Sequence, residues 1–141
     1  MNHIYWDTML FVYWLENHLQ YADRVESLFK MTRSRGDSIC TSIFTLGEVL
    51  VTPLRYEKTE LAARIRTVMH GPEIVMVQFD DAIAERYALI RATARVKAAD
   101  AIHLATAAHI GTTLFVTNDK ELHKLHISGI SFIAGLDVNL F

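Results

Sequence analysis

The chain has 141 residues, 51% hydrophobic and 21% charged, and 14 Lys and Arg against 16 Asp and Glu give a formal charge of −2 at pH 7. That balance excludes a disordered chain and a broadly basic nucleic-acid binder, while leaving room for a local basic patch. A single cysteine, Cys40, excludes a disulfide framework and a thiolate metal cluster, and no apolar run reaches the roughly 18 to 20 residues of a membrane helix.

The length fits one domain over 1–141 with a real core. The first residues, MNHIYWD, carry neither a basic flank nor a cleavage pattern, so a cytoplasmic protein with no membrane association is expected. Residues 3–7 (HIYWD) are rich in β-formers and predict a strand; MLFVYWL then predicts a helix that is apolar on all sides. Its excess of large apolar groups, Leu10, Phe11, Tyr13, Trp14 and Leu15, predicts a homodimer contact that takes up what one helix face cannot bury. A polar helix from about Tyr21 to Arg33 ends at SRGDS, SICTS reads as a second strand, and IFTLGEVLV as a mostly apolar helix that Pro53 should end or kink.

An amphipathic helix from about Glu57 to Met69 stops at His70-Gly71-Pro72, and EIVMVQF predicts a third strand. Asp80 and Asp81 open a helix whose Ile83, Tyr87, Ile90 and Ala94 form one apolar stripe. The helix around Asp100 runs to about Ile110 and is closed by Gly111; TLFVT is a fourth strand and ISFI a weaker fifth. Strands alternating with helices predict an α/β fold with a mostly parallel sheet of four to five strands and helices on both faces.

In such sheets the ligand crevice lies beyond the carboxyl ends of the strands. Asp7 stands at one strand exit among aromatic neighbours, where it either caps the next helix or does chemistry. Glu48 is the only charge in SIFTLGEVLVTPL and lies too deep in its helix to cap it, which leaves a solvent-facing or arginine-paired acid as the structural alternative. Asp100 interrupts KAADAIHLATAA, again at a helix start. From Asp100 to Ile110 the helix travels about 15 Å, and the strand from Leu114 to Asn118 returns by about 3.3 Å per residue. Asp119 therefore reaches the edge occupied by Asp100, although Asn118 and Asp119 are also ordinary turn formers. Four carboxylates on one edge repel, so they need a counter-charge, and at least one should titrate above its ordinary range. Hard oxygen donors, without cysteine or a histidine pair at zinc spacing, favour Mg²⁺ or Mn²⁺.

YWDT, TLGEVL, KAADAIHLATA and FVTNDKEL, in that order, resemble the acidic motifs of the PIN-domain family, especially VapC-type toxins, over nearly the whole chain. The resemblance implies a PIN-like three-layer α/β/α fold and a metal-dependent ribonuclease. It makes Asp7, Glu48, Asp100 and Asp119 the catalytic and metal-holding acids, with Thr117 as a supporting hydroxyl beside Asn118. It also implies an RNA substrate, a small antitoxin partner and pairing into a dimer. A stand-alone PIN nuclease and a catalytically silent PIN-fold interaction module are the alternatives. Met9 departs from the asparagine that many relatives carry after the Asp-Thr pair. The seven histidines are expected on or near the surface, and the clusters Lys30, Arg33, Arg35 and Arg91, Arg95, Lys97 on solvated helix faces. Trp6 and Trp14 are expected in the core.

Overall fold

The computed structural model describes residues 1–140. Five strands, β1 (His3–Trp6), β2 (Ser38–Ser42), β3 (Ile74–Val77), β4 (Thr112–Val116) and β5 (Ile130–Ala134), form one sheet in the order β3-β2-β1-β4-β5. Every pairing is parallel, a stricter arrangement than the mostly parallel sheet expected. Six helices connect them: α1 (Thr8–Leu15), α2 (Ala22–Ser34), α3 (Ile43–Arg55), α4 (Thr59–Met69), α5 (Asp81–Thr93) and α6 (Ala98–Ile110), with a short 3-10 turn at Leu122–Lys124.

Alternation along the strands builds three layers, because successive side chains point to opposite faces. Ile4, Trp6, Ile39, Leu114 and Val116 join Leu10, Phe11, Val25, Leu28, Val49, Ile65 and Met69 from α1 to α4 in one core. Tyr5, Cys40 and Phe115 join Ile83, Ile90, Ala101, Leu104 and Ala105 from α5 and α6 in the other. The runs of alanine in α6 let that helix lie close against the sheet. Tyr5 stacks on Phe115 with centroids 5.0 Å apart and planes 6° from parallel.

One expectation needs correction. Pro53 does not end α3, which continues to Arg55; the missing N–H removes one helical bond in the last turn, and the buried ring is kept. Part of the apolar surface of α1 is covered inside the chain: Leu10 and Phe11 are fully buried, and the partly buried Tyr13 and Trp14 pack against the first core. Trp14 lies edge-on to Trp6 at 5.5 Å and donates its indole N–H to Glu26 at 2.5 Å. Gly111 closes α6 as expected, at φ +74°, a left-handed turn that side chains disfavour. Gly129, at φ +100°, lets the loop before β5 approach the end of α6 so closely that a Cβ would lie 2.5 Å from the Ala108 carbonyl oxygen. Among the described residues no helix is long and apolar enough to cross a membrane.

Candidate active site at the sheet switch point

From β1 the chain moves outward to β2 and β3, then returns to place β4 and β5 on the other side of β1. The strand order thus reverses between β1 and β4, and the crevice beyond their carboxyl ends is where a parallel α/β sheet offers a site. Trp6 is in register with Val116, so the residues that follow, Asp7 and Thr117, leave the sheet side by side. The Asp7 N–H donates to the Val116 carbonyl at 3.2 Å, fixing that juxtaposition.

Asp7 serves two purposes. One carboxylate oxygen accepts the Met9 N–H at 3.0 Å and caps α1; the other accepts the Thr117 hydroxyl. Burial pushes its carboxyl above the ordinary range, against the pull of Thr117, His103 and the helix amides. Thr117, fully buried, in turn accepts the Asp119 N–H at 3.1 Å, so one hydroxyl links the first acid to the fourth. Asp119 is exposed and closes its own turn by accepting the Glu121 N–H at 3.0 Å. Asn118 plays a different part, since its amide oxygen accepts the Leu136 N–H at 2.9 Å and ties the β5 exit to the β4 exit.

Glu48 enters from α3, whose first turn is capped by Ser42 through the Phe44 N–H at 3.0 Å. Its Oε1 receives the Thr8 hydroxyl and lies 2.8 Å from His103 Nε2. Burial pushes this carboxyl up, but the hydrogen bonds from His103 and Thr8 outweigh it and hold Glu48 below the ordinary range. Asp100 enters from the opposite layer, in the first turn of α6, where the helix dipole favours an anion. Burial and the neighbouring charge of Asp119 raise its carboxyl nonetheless, with Glu48 adding to the rise and His103 and Lys97 opposing it. Asp100, Asp119 and Glu48 thus feel one another's charge, while Asp7 joins Asp119 through Thr117. Two of them titrate above their ordinary range, and at Asp7 the principal cause is burial rather than crowding.

His103 lies where its sequence context did not point. Expected near the surface, it is only 4% exposed and bridges the two layers, with Nδ1 2.7 Å from the Tyr5 hydroxyl and Nε2 2.8 Å from Glu48. Burial pushes the Tyr5 phenol far above its ordinary range. The available signal was the i, i+3 spacing from Asp100, which puts both polar groups on one face of an otherwise apolar helix. His123 also lies closer to the site than expected, its Nε2 2.6 Å from the Thr117 carbonyl oxygen.

The residues of the chain from 4 to 127 match the family model of the PIN domain. The chain belongs to the PIN-domain family. Similar folds occur in VapBC2 from Rickettsia felis bound to a promoter DNA fragment (TM-score 0.76, 14% identity, 94% of this chain and 98% of that one). A toxin-antitoxin complex from Klebsiella pneumoniae gives a TM-score of 0.67 at 22% identity, over 90% of this PIN chain and 94% of the other. VapC20 from Mycobacterium tuberculosis, a sarcin-ricin loop cleaving toxin, gives 0.69 at 14% identity, over 87% and 96%. No curated protein matches this PIN chain significantly in sequence.

The donor chemistry of this PIN site fits a hard divalent cation, since the converging acids offer only oxygen. Glu48 and Asp119 each engage protein donors through one oxygen. Among the described residues no three His, Cys, Asp or Glu side chains stand close enough to hold one ion together. Asp7 and Glu48 are instead held by hydroxyls and an imidazole, so gathering them around an ion requires side-chain rotation.

Proposed function

We propose that this PIN-domain protein is a metal-dependent endoribonuclease that cuts RNA phosphodiesters at the switch-point site and acts as the toxin of a toxin-antitoxin pair. The observation that supports this reading is the link from Asp7 through Thr117 to Asp119 at the β1 and β4 exits, with Asp100 coupled by charge to Asp119 and Glu48 from the neighbouring helices. The toxin setting is supported by the fold shared with a VapBC complex, a second toxin-antitoxin complex and a sarcin-ricin loop cleaving VapC toxin. An acidic cleft also suits the guanidinium of an antitoxin arginine, which offers a paired fork to carboxylates. A homodimer is proposed as well, to be tested by sedimentation.

Mg²⁺ or Mn²⁺ held by Asp7, Asp100 and Asp119 with Glu48 would supply a water of lowered pKa and neutralise charge on the phosphate oxygens. The residues of the chain supply position. Thr117 holds Asp7 and the Asp119 backbone in one arrangement, while Thr8 and His103 hold Glu48. The carboxylates orient the attacking water and take up its proton as the phosphodiester bond breaks.

The test is cleavage of labelled single-stranded RNA by purified protein with Mn²⁺ or with chelator. Wild type should cut only with metal, and Glu48→Gln and Asp100→Asn should each lose roughly a hundredfold or more in rate. A folded Asp100→Asn that cleaves as fast as wild type would overturn the assignment.

A further inference from the structure

The buried chain of hydrogen bonds behind Glu48 has a direction. Tyr5 Oη accepts the Ser42 backbone N–H at 3.1 Å. The nearby Thr41 hydroxyl spends its proton on the Trp6 carbonyl at 2.8 Å. Nε2 of His103 faces the Glu48 carboxylate, which only accepts, so Nε2 carries a proton, and Nδ1 of a neutral ring takes the one proton the Tyr5 phenol has to give at 2.7 Å. A neutral imidazole accepting at Nδ1 carries its proton on Nε2, and Nε2 faces Glu48 Oε1 at 2.8 Å, with the Thr8 hydroxyl 3.1 Å from the same nitrogen. Thr8 also donates to Oε1. Both donors thus converge on one oxygen of Glu48.

The imidazole cannot turn freely. It is enclosed edge-on by Tyr5 at 5.8 Å and by the tilted ring of Phe44 at 5.8 Å, and Tyr5 is itself pinned flat against Phe115. We infer that Tyr5 and His103 form a positioning relay that fixes the tautomer of His103 and so commits Oε1 of Glu48 to the protein, reserving Oε2 for a cation. The relay runs from the cap of α3 at Ser42 through the central strand to α6 and back to α3, so the residue that starts the helix also sets the acid carried by it. This inference rests on the proposed reading of Glu48 as a metal-holding acid. Partners of this kind, one step removed from the ion, change metal affinity by about 10 to 100-fold when lost.

The experiment uses the full chain and Mn²⁺ alone, with free Mn²⁺ read by electron paramagnetic resonance, alongside imidazole ¹⁵N shifts that report the tautomer. Wild type should show His103 protonated at Nε2. His103→Ala should weaken Mn²⁺ binding by about tenfold or more, and His103→Gln, whose amide can donate to Oε1, should recover most of the loss. Tyr5→Phe keeps the stacked ring but removes the proton for Nδ1, so both tautomers should appear and Mn²⁺ binding should weaken. If His103→Ala does not fold, Tyr5→Phe with the tautomer shift decides. A wild-type imidazole protonated at Nδ1, or a folded His103→Ala or Tyr5→Phe that binds Mn²⁺ as wild type does while Glu48→Gln binds weakly, overturns the relay. Failure of wild type to bind Mn²⁺, or unchanged binding in Glu48→Gln, instead overturns the metal reading of Glu48 and the inference with it.

Discussion

Replacing Asp7 separates the two roles of its carboxylate. Asn and Ala both remove the charge, but Asn still accepts the Met9 N–H and still meets the Thr117 hydroxyl, whereas Ala does neither. Loss of a helix N-cap costs about 1 kcal/mol, and stranding the fully buried Thr117 hydroxyl adds on the order of 1 kcal/mol. For a chain of this length the unfolding entropy is about 0.3 kcal/mol per degree, so Asp7→Asn should melt about 3 to 7 °C above Asp7→Ala. Against wild type the sign comes from protonation. Burial raises the Asp7 carboxyl in the folded state, so the folded protein binds this proton more tightly than the unfolded chain. The resulting penalty is absent well below the unfolded value of 3.8 and grows as pH climbs through it to the folded value. In chelator at pH 7, Asp7→Asn should therefore melt at or above wild type, and the gap should close in acid. The assay is a set of thermal melts of the three proteins from pH 3 to pH 8. If Asp7→Asn melts with Asp7→Ala, several degrees below wild type at pH 7, the charge of the cap outweighs its burial and the reasoning is refuted.

Asp100→Asn should also melt above wild type in chelator at neutral pH, because burial and Asp119 raise its carboxyl as well. Saturating Mn²⁺ reverses that order: at a hundredfold excess over Kd it adds about 2.7 kcal/mol, or about 9 °C, to wild type, and equal metal shifts in both proteins would remove Asp100 from the ligands. Cys40 is 1% exposed and its thiol is pushed up to about 11 by burial, so it should resist thiol reagents at pH 8 in the folded protein and react on denaturation. Rapid labelling of the native protein would contradict that.

The layers were legible because two periodicities were strong. The β-formers of HIYW, SICTS and TLFV lie in the buried centre of the sheet, and the helix that starts at Asp80 does place Ile83 and Ile90 in the core. Element ends were less legible. Gln78 and Phe79 belong to the expected strand EIVMVQF but lie outside β3, since the chain must turn there to start α5 at its Asp80 cap. Pro53 is a weaker stop than its residue type suggests, because a proline near the end of a helix removes one bond from a turn that is about to finish. For α1, composition shows how much apolar surface the helix carries, while only tertiary packing shows how much of it other parts of the chain cover.

The acids stood out in the sequence because a charge in an apolar run is conspicuous, and His103 did not because a histidine in such a run is not. Its partners, Glu48 and Tyr5, are 55 and 98 residues away in sequence and approach from α3 and β1, so no local spacing could pair them. The alternatives of cap and chemistry posed for Asp7 were also not exclusive. In a parallel sheet each strand exit leads directly to the start of a helix, so the residue best placed to cap that helix is also the one best placed to face the crevice. Capping commits one oxygen of Asp7 to Met9 and leaves the other to Thr117, through which it meets Asp119. A cap of this kind holds a carboxylate at the sheet edge in the absence of any cation, and the helix amide offsets part of the cost of keeping it there. The fold thus fixes the position of Asp7 through the helix it caps and the hydroxyl it accepts.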